Sequence, residues 1–139
     1  ETDSNEDLWQ KNNDMCCHIR KFLPQERALK GFKAVLTGRK RFQTTQRGTM
    51  QRIEIENETA ARLRINPLAN FTLDDLQGYL ETHNLPKHPL VKDGYLSIGC
   101  MPCTDKVKEG DDYRSGRWSE QDKEECGMHG TDFVYGEGI

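Results

Sequence analysis

The sequence predicts an α/β chain with a small sheet and flanking helices, and three observations predict it. Leu73, Leu76, Tyr79 and Leu80 recur at helical spacing behind Thr72 and Asp75, which pair as a capping box, so 72–82 is the firmest helix. Ile53 with Ile55, and Leu63 with Ile65, alternate with polar residues as half-buried strands do. Residues 32–36 form a short apolar run closed by Thr37 and Gly38, the pattern of a further strand.

Taken in order, Ser4 is placed to cap a short helix through Leu8 and Trp9, and Pro24 opens a second helix that ends at Gly31. Cys16 and Cys17 fall between those two helices. The three strand candidates follow, then the 72–82 helix, which ends near His83 and Asn84. Pro86, Pro89, Pro102, Gly94, Gly99 and Gly110 predict an irregular backbone over 85–112, where Cys100 and Cys103 lie. Ser119 is expected to cap a last short helix through Glu125, after which Gly127, Gly130, Gly136 and Gly138 predict a flexible tail.

With 139 residues the chain is in the one-domain range, yet only 34% are apolar against 31% charged, a lean supply for a core. The net charge of −3 conceals a basic block over 18–52, which includes Lys21, Arg39, Lys40, Arg41 and Arg47 and a single acid, Glu26. Such a block calls for an anionic partner. Aromatic residues within it are sparse, so a nucleotide anion is favoured over nucleic acid. No apolar run approaches the roughly 20 residues that span a bilayer, and the chain reads as soluble and cytoplasmic with no membrane partner.

Five cysteines, two adjacent and two in C-x-x-C, suit a metal site plus one free thiol better than a disulfide framework. Cys16, Cys17, Cys100 and Cys103 are a complete thiolate set for zinc or for an iron–sulfur cluster, and spacing alone leaves both open. His18, His83 and His88 do not pair at ligand spacing and read as loop or surface histidines.

Cys16 and Cys17 run into Arg20 and Lys21 as C-C-x-x-R-K; Gly99 to Thr104 read G-C-x-P-C-T; Arg114 to Trp118 read R-S-G-R-W; and Glu125 to His129 read E-C-G-x-H. In this order the four motifs resemble the C-terminal half of the cluster-containing bacterial sulfonucleotide reductases, over about 14–129. The resemblance implies the C-terminal part of an adenine-nucleotide alpha-hydrolase-like (PP-loop) fold. It implies a 4Fe-4S cluster on Cys16, Cys17, Cys100 and Cys103, and Cys126 as the nucleophile that attacks the substrate's sulfate sulfur. A cysteine S-sulfonate results, and thioredoxin or glutaredoxin releases sulfite from it. The substrate implied is adenylylsulfate, with phosphoadenylylsulfate as the alternative.

Lys21 resembles the family lysine near both cluster and substrate, where its ammonium offsets thiolate charge and orients the sulfate. Arg39, Arg41 and Arg47 lie in a stretch similar to the family's substrate loop, with Phe42 in place of the usual acid and Thr44 in place of the usual serine. Arg114 and Arg117 are candidates for an oxyanion clamp, and they join Lys21 and His129 as cations for the Cys126 thiolate. A helix ending at Glu125 would set Cys126 at a negative dipole end, so activation is expected from docking into a cationic pocket.

The family's S-G-G-x-D-S phosphate loop is absent. The expected organisation is therefore a cluster-binding body over 1–118 and a mobile tail over 119–139, with the N-terminal nucleotide-binding half missing. An apolar sheet edge or face is expected to lie exposed. A homo-oligomer, or a metal-stabilised binding module without catalysis, is also compatible with this reading.

Overall fold

The computed structural model describes residues 3–56, 62–121 and 123–128. Helix α1 (Leu8–Lys11) is followed by α2 (Asn13–Cys17), a π-helical turn (His18–Phe22) and α3 (Leu23–Leu29). Strands β1 (Ala34–Leu36), β2 (Ile53–Ile55) and β3 (Leu63–Ile65) precede α4 (Leu73–Thr82). Among the described residues that follow, the helical elements are 3-10 turns at Pro89–Asp93 and Met101–Cys103, as the proline and glycine content predicts. The fold is α/β with a small sheet.

The helical entry differs from expectation. Ser4 caps nothing; the Leu8 amide donates to the Asp3 carboxylate at 3.1 Å, since an acceptor five residues back reaches the first turn of α1. Nor does the cysteine pair lie between helices, because Cys16 and Cys17 are on α2, capped when the Asn12 side chain accepts from Met15 N at 2.9 Å. His18 is buried, its ring stacked on Phe22 at 5.2 Å, and is not a surface histidine. α4 carries the predicted capping box, with Asp75 N on Thr72 Oγ1 and Thr72 N on the Asp75 carboxylate.

The sheet has the order β1-β3-β2, with β3 parallel to β1 and antiparallel to β2. The register aligns Leu36, Ile65 and Ile53 in one row and Ala34, Leu63 and Ile55 in the next, all on one face. Leu36, Ile53 and Ile55 are 71%, 63% and 69% exposed, so the apolar face is bare, as expected.

The opposite face carries Val35, Arg64 and Glu54 and is sealed by charge. Buried Glu56 takes both Arg62 and Arg64, and Arg62 reaches on to Glu26 on α3 at 2.7 Å. Beside it, fully buried Asn66 accepts from Thr37 and Arg39 and donates to Glu54 and the Gln51 carbonyl. Burial pushes the Glu56 carboxyl up, but the Arg62 hydrogen bond and the charge and hydrogen bond of Arg64 outweigh it and hold it below 4.5, its ordinary value.

A carboxyl so depressed stabilises the fold above its ordinary pKa and loses that contribution as pH falls through the depressed value. Glu56→Gln is expected to cost about 3 kcal/mol by removing the negative charge that two buried guanidinium groups share, and to flatten the acid limb of a denaturation curve measured against pH. Leu36→Lys with Ile55→Lys is expected to change stability by no more than about 0.5 kcal/mol, as for surface positions. The same pair should weaken binding of an apolar dye; unchanged dye binding would count against the bare face.

Candidate active site

Three segments converge beyond the ends of β1 and α2. The first is α2 with its π turn, which carries Asn13, Cys17 and Lys21 at spacings of four, the interval that stacks side chains on one helix face. Asn13 Nδ2 donates to Cys103 Sγ at 3.5 Å, and Cys17 Sγ donates to Asn13 Oδ1 at 3.7 Å. Lys21 lies in the field of the Cys126, Cys17 and Cys100 sulfurs; burial pushes its ammonium pKa down, and those sulfurs more than reverse the shift. Burial raises the Cys17 thiol, against the opposing charges of Lys123 and Lys21. Cys16 stands apart on the helix, 3.9 Å from Arg20 Nη1.

The second segment folds Cys100 and Cys103 around a 3-10 turn, with Cys103 N on the Cys100 carbonyl at 2.9 Å and Thr104 Oγ1 on the same oxygen at 2.8 Å. Thr104 then bridges Arg117, which joins the C-x-x-C turn to R-S-G-R-W. Glycine is required at Gly116, where the clash would be with backbone, and at Gly99 it leaves the Arg117 guanidinium in place. A Cβ on Gly116 would meet the Asp105 carbonyl at 2.2 Å, and one on Gly99 would meet the Arg117 guanidinium at 2.2 Å. Arg117 stacks over Trp118 at 4.3 Å and donates to the Cys103 carbonyl at 3.2 Å, so it braces the thiol turn.

The third segment is the loop after β1. Arg39 and Arg47 line a cleft of about 420 Å³ with Gln25, Thr37 and Gly38. Arg39 is buried and tied to Glu54 at 2.5 Å, which fixes the loop to the sheet. Arg41 turns away, its Nε on the Met50 carbonyl at 2.7 Å. Phe42 packs edge-on against Tyr113, linking this loop to the Arg114 loop; Thr44 caps the next 3-10 turn by accepting from Arg47 N.

Residues 123–126 lie across all three as a strap. Lys123 Nζ donates to Asn13 Oδ1 at 2.7 Å and Asp14 Oδ1 at 2.5 Å, and reaches Cys17 Sγ at 3.7 Å. Arg114 Nη2 holds the Glu124 carbonyl at 2.9 Å, and Gln25 Nε2 holds the Met128 carbonyl at 3.2 Å. Glu125 sits on Arg47, and half-buried Cys126 is left facing the Lys21 neighbourhood. The expected helix through Glu125 is absent among the described residues. Ser119 Oγ donates instead to Asp105 Oδ2 at 2.6 Å, and side-chain anchors set the strap's path in place of backbone ladders, so no helix dipole bears on Cys126.

Lys21, Cys17, Cys100, Cys103 and Cys126 are thus gathered, and Arg39, Arg47, Arg114 and Arg117 border the same region. His129 lies outside the described residues. Asn13, Lys123, Gln25 and Glu125 were not singled out from sequence as site residues. The spacing of Asn13 four residues before Cys17 was the available signal for one of them. All five cysteines are free thiols. Among the described residues no three metal-ligating side chains converge as a preformed ion site. The donor set itself, four thiols on two rigid turns with cations and amides beside them, fits soft-metal or cluster ligation.

These features define the class: a thiol-rich α/β domain whose cationic loops and cysteines share one end of a small sheet. By comparison with known proteins, the chain belongs to the phosphoadenosine phosphosulfate reductase domain family, whose model matches residues 1–106. It is 49% identical over 122 residues to the adenosine 5'-phosphosulfate reductase of Mesorhizobium japonicum, covering 88% of this chain and 47% of that protein. To the enzyme of the same name from Deinococcus radiodurans it is 46% identical over 124 residues, covering 88% and 48%. A crystal structure of phosphoadenylyl-sulfate (PAPS) reductase from Candida auris, in a phosphate complex, superposes with a TM-score of 0.60 at 31% identity, covering 76% of this chain and 49% of that one. The chain spans about half the length of the relatives it matches. Among the described residues no helix is long and apolar enough to cross a membrane.

Removing the acceptors of Lys123 tests the strap. Asn13→Ala with Asp14→Ala is expected to speed tryptic cleavage after Lys123 by roughly five-fold, the scale of one or two lost charge-assisted hydrogen bonds. Cleavage at the wild-type rate would show that the strap is anchored elsewhere.

Proposed function

We propose that this chain is the thiol-bearing half of an adenylylsulfate reductase, which reduces adenylylsulfate to sulfite and AMP for sulfate assimilation. The observation that carries the reading is the seating of the strap: Lys123 reaches Cys17 Sγ at 3.7 Å and Glu125 lies 2.5 Å from Arg47, which sets Cys126 between the thiols and the cationic loop. A thiolate there has an ammonium in reach that also serves sulfate oxygens, which is what attack on an anionic sulfur requires.

In the proposed reaction the Cys126 thiolate supplies an electron pair to the sulfate sulfur. The S–S bond forms as the S–O bond to AMP breaks, and AMP leaves as its phosphate anion. A dithiol protein of the thioredoxin or glutaredoxin type then attacks Cys126 Sγ, expels sulfite and becomes a disulfide, so two electrons pass from dithiol to sulfur. Lys21 and Arg47 hold oxyanions, with Arg39 fixing the Arg47 loop; Arg114 and His129 add to the basic surround in this reading, Arg117 braces the thiol turn, and Arg41, turned to the Met50 carbonyl, stands outside the set.

Cys16, Cys17, Cys100 and Cys103 would hold a 4Fe-4S cluster, whose iron keeps its thiolates ionised and contributes a local field when bound. Lys21 balances that thiolate charge from the protein side. We further propose that residues 1–118 form the body and 119–139 a tail that docks and releases, and that an N-terminal nucleotide-binding half packs on the bare face of Leu36, Ile53 and Ile55. Burial there would contribute about 1.5–3 kcal/mol per large side chain. A reducing, cytoplasmic setting and a homo-oligomer are compatible with this chemistry.

The test is single-turnover capture. Adenylylsulfate added to anaerobically purified protein is expected to leave an S-sulfonate on the Cys126 peptide, detected by mass, and none on Cys126→Ser. Greater capture from phosphoadenylylsulfate would assign that substrate instead. Equal iron and sulfide without capture would indicate a metal-stabilised binding module, and a colourless zinc protein would remove the cluster.

A further inference from the structure

Glu125 makes a two-pronged contact that neither the substrate reading nor the metal reading uses. Its Oε2 accepts from Arg47 Nη2 at 2.6 Å and its Oε1 lies 2.5 Å from Arg47 Nε as an ion pair, so both carboxylate oxygens face the guanidinium along one side. Thr44 Oγ1 adds a third bond to Oε1 at 3.1 Å. The Arg47 and Glu125 side chains are only 12% and 18% exposed, so the pair is largely shielded from water. Gln43 Oε1 takes Arg47 Nη1 at 2.5 Å, so each of the three guanidinium nitrogens already faces a protein oxygen. Arg114 lies close enough to add charge to the same carboxylate.

We propose that Glu125 is a positioning residue for Cys126: its carboxylate occupies Arg47 as a substrate oxyanion would, so that docking of the strap and binding of an oxyanion at Arg47 exclude one another. The proposal rests on the reading of Cys126 as nucleophile and Arg47 as an anion-binding residue. It adds that the residue preceding the nucleophile is the element that seats it. An oxyanion arriving at Arg47 breaks the Glu125 ion pair, and of the strap's anchors among the described residues those at Lys123, Arg114, Gln25 and Thr44 remain. Cys126 gains freedom as the anion binds, without a separate hinge. Lys123 and Glu125 anchor the chain before Cys126 and Met128, held by Gln25, anchors it after, so loss of the Glu125 contact leaves the thiol between the two remaining anchors.

The test reads alkylation of Cys126 by iodoacetamide, followed on the Cys126 peptide by mass, in the whole chain. Glu125→Gln is expected to raise the rate by about five-fold or more, as loss of a shielded charged pair implies. Inorganic sulfate is expected to raise the wild-type rate and to leave the Glu125→Gln rate unchanged. The exchanged pair Arg47→Glu with Glu125→Arg is expected to restore slow alkylation, and circular dichroism reports whether each variant is folded. A Glu125→Gln rate equal to wild type overturns the seating role. A faster variant together with a wild-type rate indifferent to sulfate overturns the exclusion. Because no step of the assay is turnover, failure to capture an S-sulfonate would sink the reductase reading and leave this result standing on its own.

Discussion

The buried ionic layer on the inner face of the sheet is the constraint from which the rest follows. Arg64 points inward from the middle strand, and a guanidinium buried at 5% exposure is tolerable only with full compensation. Glu56 supplies part of it and shares itself with Arg62, which ties the sheet to α3 through Glu26. Glu54 and Asn66 carry the layer sideways to Arg39 and Thr37. The loop that bears Arg47 is therefore bolted to the sheet at its first two polar residues before it reaches the site.

That arrangement inverts the usual division of a small sheet. The polar residues of β2 and β3 face the body of the domain, and the isoleucines and leucines face outward. An inverted sheet needs its inward-facing charges paired, as Arg62, Arg64 and Arg39 are here. Its apolar side is a surface of the kind that a further layer of chain covers, and coverage of about half of each matched relative is consistent with such a layer. The ionic layer also explains how so lean an apolar composition sustains a fold.

The site is assembled from turns rather than from regular elements. The C-x-x-C turn and the R-S-G-R-W turn are locked by a single bridge, a glycine at 116 without room for a Cβ against backbone, and one arginine that stacks on tryptophan. Arg117 thus serves the thiol turn's geometry, while Arg114 faces the strap. Two arginines three positions apart in sequence divide into a brace and a clasp because the backbone bridge pairs one with Thr104 and leaves the other in the loop.

Much was determined by sequence alone: the sheet segments, the capped α4, the irregular 85–112 region, and the family. Each of these is local, written in periodicity, cap chemistry or a contiguous motif, and local interactions do not need the rest of the chain to be read. The helical setting of Cys16 and Cys17, the burial of His18, the path of the strap and the Arg47–Glu125 ion pair were decided only in three dimensions. They depend on which charged side chains find partners far along the chain, and a carboxylate in sequence looks the same whether it faces water or an arginine dozens of residues away. The expected helix after Ser119 failed for that reason: its hydroxyl found Asp105 across a turn, and anchors supplied by other segments drew the chain into an extended path that no local preference encodes.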